Sequence, residues 1–174
     1  LASLARIFAE CAEESIAQAV LVTAPAGMGK SRLVAELLTL IKERHEGVVC
    51  WIGRGDPLRG GSAFGLLRQA LQRALGLSDG DPLAVRQDTL RARVARHVPE
   101  PERRRVMEFL GELLSTPFPD GDSAPLRAAR HEATLMSEQM RRAAEDFLCA
   151  ECSAHPVLLV FEDLQWGDLP TVRF

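Results

Sequence analysis

Residues 24–31 read Ala24-Pro25-Ala26-Gly27-Met28-Gly29-Lys30-Ser31, and this run constrains the fold more than any other. An apolar, β-branched-rich run, Ala19–Thr23, precedes it. Leu33, Leu37, Leu38 and Ile41 follow at helical spacing. Small residues with two glycines and a proline between them force a loop. The spacing therefore predicts a buried strand over 19–23, a glycine-rich turn, and a helix through Arg44 that stops near Gly47. Val48–Ile52 reads as a second buried strand. Strand, loop, helix and strand make a βαβ unit, which implies a parallel sheet with a right-handed crossover.

The loop has the chemistry of an anion cradle. Gly27 and Gly29 carry no Cβ and permit positive φ, so backbone N–H groups can converge on one point. The loop runs into a helix N-terminus, whose unpaired N–H groups favour negative charge. Lys30 adds a mobile cation, and Ser31 offers a hydroxyl suited to Mg²⁺. Against the general pattern G-x-x-x-x-G-K-[ST], only the first position departs, with Ala24 in place of Gly. Pro25 biases Ala24 toward extended geometry, which an alanine tolerates.

A second run completes the chemistry. Val157–Phe161 predicts a buried strand that ends in Glu162-Asp163. Phosphoryl transfer needs a carboxylate beside the metal and another to orient water. The carboxyl ends of parallel strands are where ligands bind in open α/β sheets. These two runs have the form of Walker A and Walker B motifs. They make Ala24, Pro25, Ala26, Gly27, Met28, Gly29, Lys30, Ser31 and Arg32 the candidate nucleotide contacts. Ser31, Glu162 and Asp163 are the candidate metal residues, and Glu162 and Asp163 the candidate catalytic pair. The expected cofactors are ATP and Mg²⁺.

Gly53 to Gly61 reads as a loop, with four glycines and a proline. Beyond it the periodicity is helical for some ninety residues. Phe64, Leu67, Leu71 and Leu75 mark one helix, Leu90, Val94 and Val98 a second, and Val106, Phe109, Leu110, Leu113 and Leu114 a third. A long fourth runs from Ala129 to Leu148, with Met136 and Met140 expected as core filling. Prolines fall between these segments, where helix breakers belong. Residues 3–15 form an additional N-terminal helix by the spacing of Leu4, Ile7, Phe8 and Cys11. The fold expected is α/β: a partial parallel sheet of the P-loop NTPase kind over 1–174, with a large all-α insertion at 57–153.

Composition excludes other classes. The net charge is -3, and Arg103-Arg104-Arg105 is flanked by Glu100, Glu102 and Glu108. A solvated helix face is the expectation there, with no nucleic-acid patch. No apolar run spans a bilayer and no leader precedes the first helix, so a cytoplasmic chain without membrane contact is expected. Four scattered cysteines suggest no disulfide framework. Cys149-x-x-Cys152 with His155 lacks a second ligand pair, so buried or inert thiols are expected. The chain opens at Leu1 and closes at Phe174 in mid-pattern, which suggests a stretch of a larger protein.

The runs Ala-Gly-Met-Gly-Lys-Ser-Arg-Leu (26–33) and Leu-Leu-Val-Phe-Glu-Asp-Leu-Gln-Trp-Gly-Asp (158–168) resemble the STAND and related AAA-type signalling ATPases of bacteria. Gln165 stands where that family usually has His, and Gly167 where it usually has Ala. Arg54-Gly55-Asp56-Pro57-Leu58 and the helix Met136–Cys152 are similar to ATPase modules that follow Ser/Thr kinase domains in multidomain regulators. The resemblance implies that Lys30 and Ser31 serve phosphate and Mg²⁺, and that Glu162 and Asp163 are the two Walker B acids. Glu at the first acid leaves the division between metal and water open. It implies an ATP-driven switch gating other domains of the parent chain, such as a kinase, cyclase, helical-repeat or DNA-binding domain, with an ATP-dependent oligomer conceivable. It also implies a sensor strand between the Walker A and Walker B strands. That strand follows the Walker B strand in sequence, so a gap in the sheet is expected here. Three rival readings are a nucleotide-binding module that never hydrolyses, an origin-recognition-like AAA protein on DNA, and a P-loop small-molecule kinase. The acidic balance opposes the second. The carboxylate pair and the helical insert oppose the third.

Overall fold

A computed structural model of the chain describes residues 1–56 and 63–173. Most of the glycine-rich segment after Asp56, including Pro57, Leu58, Gly60 and Gly61, lies outside the described residues. The chain divides into two compact units, residues 1–50 with 155–158, and residues 51–154 with 159–174.

The first unit holds helices α1 (Ala2–Glu14) and α2 (Lys30–Arg44). Ala5 and Phe8 of α1 and Ile41 of α2 are buried together, with Leu37, Leu40, Val48 and Leu158 packed against them. Phe8, Leu37 and Ile41 are among the positions that the sequence spacing predicts for these stripes, while Ala5 and Leu40 join the cluster in place of neighbouring predicted positions. Phe8 also meets His45 edge-on, with ring centroids 5.0 Å apart. α1 ends where Ser15 turns left-handed at φ 55°, and the Ile16 N–H donates to Cys11 O.

Two strands form a parallel pair, β1 (Val49–Arg54) and β2 (Val157–Glu162). In the first unit Val49 N–H donates to Pro156 O, and in the second Gly55 N–H donates to Glu162 O, each at 2.9 Å. The two bonds keep the same offset. Three expectations are corrected. The run Ala19–Thr23 forms no strand: Val20, Leu21 and Val22 are exposed, Leu21 at 73%, and no ladder partner exists among the described residues. High β propensity does not make a strand unless a neighbour accepts its N–H and C=O groups. Second, β1 runs two residues beyond Ile52, so Gly53 and Arg54 belong to the sheet and not to a loop. Third, β2 is half-buried along its whole length rather than buried.

The second unit is helical: α3 (Gly65–Leu75), α4 (Leu83–His97), α5 (Glu100–Leu113), α6 (Ala124–His131), α7 (Ala133–Ala154) and a short α8 (Leu169–Val172). α7 packs on α4, α5 and α6. Leu90, Val94, Val106, Phe109, Leu110, Leu126 and Phe147 are all buried to about 1% exposure or less. Trp51 of β1 stacks on Phe147 with ring centroids 6.0 Å apart. The expected long fourth helix is two helices. Glu132 is extended between them, and its carbonyl accepts the Met136 N–H at 2.9 Å, opening α7. The break lets α6 fold back onto α7, which a straight helix cannot do. Met136 and Met140 are half-buried, so they fill an edge and not the centre.

Glu108 is buried and accepts from Arg104 Nε at 2.9 Å and Ser123 Oγ at 2.6 Å. Ser123 in turn caps α6. Arg103 and Arg105 pair with Glu100 and Glu102. The arginine run is thus spent on neighbouring acids, as the sequence suggested. Cys149 and Cys152 are exposed free thiols, so of the expected buried or inert thiols the buried alternative does not hold for this pair. Partial burial of its sulfur, with Cys149 and Glu151 beside it, holds the Cys152 thiol above its ordinary pKa and therefore protonated. Among the described residues no helix is long and apolar enough to cross a membrane.

Candidate functional site

The phosphate-loop residues belong to the first unit and the carboxylates to the second. In the loop, Gly27 and Gly29 take φ 79° and 86°. A Cβ placed on either would meet nothing within 4 Å. Glycine is needed here for its dihedral freedom, and the space around it is open. Ala24 is not among the residues with positive φ, so alanine at the first motif position costs nothing in backbone geometry. The Met28 N–H points back to Pro25 O at 3.5 Å, and the Met28 side chain is 71% exposed.

Gly29 is the N-cap of α2, and no side chain caps that end. The first helical bond is Leu33 N–H to Gly29 O at 2.9 Å. The N–H groups of Lys30, Ser31 and Arg32 therefore lie ahead of the helix ladder. No acid sits in the first turn to satisfy them. Ser31 is exposed on that turn. Lys30 Nζ donates to Ala24 O at 2.7 Å and Pro25 O at 3.0 Å, closing the loop across its own mouth. Arg32 turns away and donates from Nε to Glu36 Oε1 at 2.7 Å, which raises its pKa. It is the one expected loop contact whose side chain is engaged along the helix. A loop with two positive-φ glycines, uncapped N–H groups and one lysine has donors of the kind a polyanion such as a triphosphate takes.

In the second unit, β2 delivers Glu162 and Asp163 to its carboxyl end, as predicted. Glu162 keeps a side chain only 12% exposed, and its Oε2 accepts from Arg54 Nη2 at 2.6 Å. That hydrogen bond and the adjacent charge raise the Arg54 pKa. Arg54 stands at the end of β1, and its own N–H donates to Gln69 Oε1 at 2.5 Å. Asp163 is left-handed, φ 56° and ψ 45°, and starts a single 3₁₀ turn over Leu164–Trp166. Its carbonyl accepts the Trp166 N–H at 2.9 Å, and its carboxylate accepts from Gln165 Nε2 at 3.4 Å. A Cβ on Gly55 would lie 2.2 Å from Asp163 O, so only glycine lets β1 pass the acidic turn so closely.

Two residues of this region are not among the candidates the sequence offers. Arg54 falls only within a run of family resemblance, and nothing local announces that its partner is 108 positions away. Asp168 did carry a signal, since an Asp before Leu-Pro is a helix N-cap pattern. It caps α8 through Thr171 N at 2.8 Å.

Comparison with curated proteins and with solved structures returns no match. A family model described as an AAA ATPase domain matches residues 1–174. With a glycine-rich loop opening a helix and two carboxylates at the end of a parallel strand, the chain belongs to the AAA ATPase domain family, whose fold is that of the α/β P-loop NTPases and whose members generally bind ATP with Mg²⁺.

Proposed function

We propose that this domain binds ATP with Mg²⁺ at Ala24–Arg32 and hydrolyses it with Glu162 and Asp163, acting as a nucleotide-dependent switch within a larger signalling or regulatory protein. The observation that carries this reading is the loop itself. It holds two glycines at positive φ, while Lys30 rests on the carbonyls of Ala24 and Pro25. Lys30 has only to swing from Ala24 O and Pro25 O to meet the β and γ phosphates. The N–H groups at the start of α2 would receive phosphate oxygens, and the Ser31 hydroxyl would be a ligand for Mg²⁺. When bound, Mg²⁺ would supply neutralisation of the phosphate charge. Glu162 and Asp163 share the tasks of holding metal water and orienting the attacking water. Cytoplasmic location and control of further domains in the same chain belong to this reading.

A second reading, binding without hydrolysis, is favoured by one contact. Arg54 already donates to Glu162 Oε2, so a metal or water there has to share that oxygen with a guanidinium or turn to Oε1. Calorimetric titration of the full-length protein with ATP and Mg²⁺ tests the site, with Lys30→Ala as the comparison. The variant is expected to bind at least about 100-fold more weakly, through loss of a charge-assisted phosphate contact. Wild-type affinity in Lys30→Ala would remove the site assignment.

A further inference from the structure

We propose that Asp168 is the positioning residue for the Glu162–Asp163 pair, locking the far end of their turn onto the first turn of α3. The inference rests on the reading that these two carboxylates serve metal and water.

The bonding of Asp168 exceeds what an N-cap needs. Oδ1 accepts the Thr171 N–H at 2.8 Å, and Oδ2 accepts the Thr171 hydroxyl at 2.8 Å. Those two bonds would be enough to cap α8. The same oxygens also accept the Phe64 N–H at 2.7 Å and the Leu66 N–H at 3.2 Å, a hundred residues earlier in the chain. α3 has no side-chain cap of its own, because its N-cap position is Phe64, left-handed at φ 59°. One carboxylate thus satisfies the open ends of two helices.

Close backbone contacts show that this tie bears on the acidic turn. A Cβ on Gly167 would lie 2.6 Å from Leu66 Cδ1, and a Cβ on Gly53 would lie 2.6 Å from Leu66 O. Gly55 meets Asp163 O more closely still. The end of β1, the start of α3 and the Asp163 turn therefore touch without slack. Asp163 and Phe64 both hold left-handed backbone without being glycine. Such residues persist when surrounding contacts over-determine them. At its near end the turn is held by the strand bond from Gly55 and by the Arg54–Glu162 pair. At its far end the tie is Asp168. Burial pushes the Asp168 carboxyl up, but the donors from Thr171, Leu66 and Phe64 outweigh it, so the carboxylate stays ionised and accepts all four bonds.

The test measures ATP turnover and the gain in ATP affinity on adding Mg²⁺, in the full-length protein carrying Asp168→Ala or Asp168→Asn. Asp168→Ala is expected to lower kcat about 100-fold, the scale of a remote misplacement of catalytic groups. The KM for ATP should stay within about threefold, since the phosphate loop is untouched. Asp168→Asn should fall between, because its oxygen still accepts from Phe64 and Thr171 while its amide faces the Leu66 N–H. If the alanine variant does not fold, the asparagine variant carries the test. The Mg²⁺-dependent gain in affinity should shrink in the same order and serves where turnover is too slow to follow. Unchanged kcat and Mg²⁺ gain in a folded Asp168 variant, with Glu162→Gln inactive, overturns the inference alone. Equal loss of ATP affinity and turnover also overturns it, as a general structural effect. Wild-type turnover in both Glu162→Gln and Asp163→Asn overturns the underlying reading, and the inference with it.

Discussion

From Ile16 to Gly29 every residue is exposed, and the chain makes few bonds beyond Lys30 folding back on the loop. From Glu162 to Asp168 the turn is held at its start by Arg54 and Gly55, and at its end by Phe64, Leu66 and Thr171. The same kind of sequence signal, an apolar run ending in polar residues, leads to opposite mechanical states. The glycine-rich loop needs only the right dihedrals and a helix end, and the residues themselves supply both. The Glu162–Asp163 turn takes its fixed position from elements far away in sequence. Glycine shows the same division. Gly27 serves its dihedral angle, while Gly55 serves the close passage of another backbone.

That contrast breaks first at the carboxylates. Glu162→Gln and Asp163→Asn are each expected to lower turnover by about 100-fold to 1,000-fold while ATP affinity moves only a few-fold, since these groups act through metal and water. Paired turnover and calorimetry measure it. Loss of ATP binding as complete as in Lys30→Ala, in a folded protein, would show that both runs belong to the cradle.

A smaller effect separates the two kinds of glycine. Gly55→Ala is expected to destabilise the second unit by about 2–4 kcal/mol, because the new methyl collides with Asp163 O. Gly27→Ala meets no atom and costs about 1–2 kcal/mol of left-handed strain, felt in the loop. Urea melts give the first number, and ATP titration shows the second as weakened binding. Equal stability losses in the two variants would erase the distinction.

The smallest effect lies in the exposed run. Leu21→Asp is expected to change unfolding free energy by less than about 0.5 kcal/mol, as for most surface substitutions. A loss above about 2 kcal/mol in a chemical melt would show that this run is packed in solution after all.

Periodicity and glycine placement carried the helices α1 to α5, the phosphate loop and the acidic end of β2, because each depends on neighbours within a turn or two. The place of Lys30 and Ser31 on the first turn of α2 was readable for that reason, as was the backbone of Ala24, whose proline neighbour keeps it out of the left-handed region. Tertiary structure alone decided the rest. Ala19–Thr23 has every local mark of a strand, yet strand formation is settled by a partner, and no local pattern encodes one. The break at extended Glu132 carries no proline or glycine to announce it, and α6 and α7 pack together on either side. Arg54 reaches Glu162, and Asp168 reaches Phe64 and Leu66, across more than a hundred residues. Hydrogen bonds between groups so distant in sequence exist only once the backbone has brought their elements together, so the cradle was legible in the residues and the clamp around the carboxylates was not.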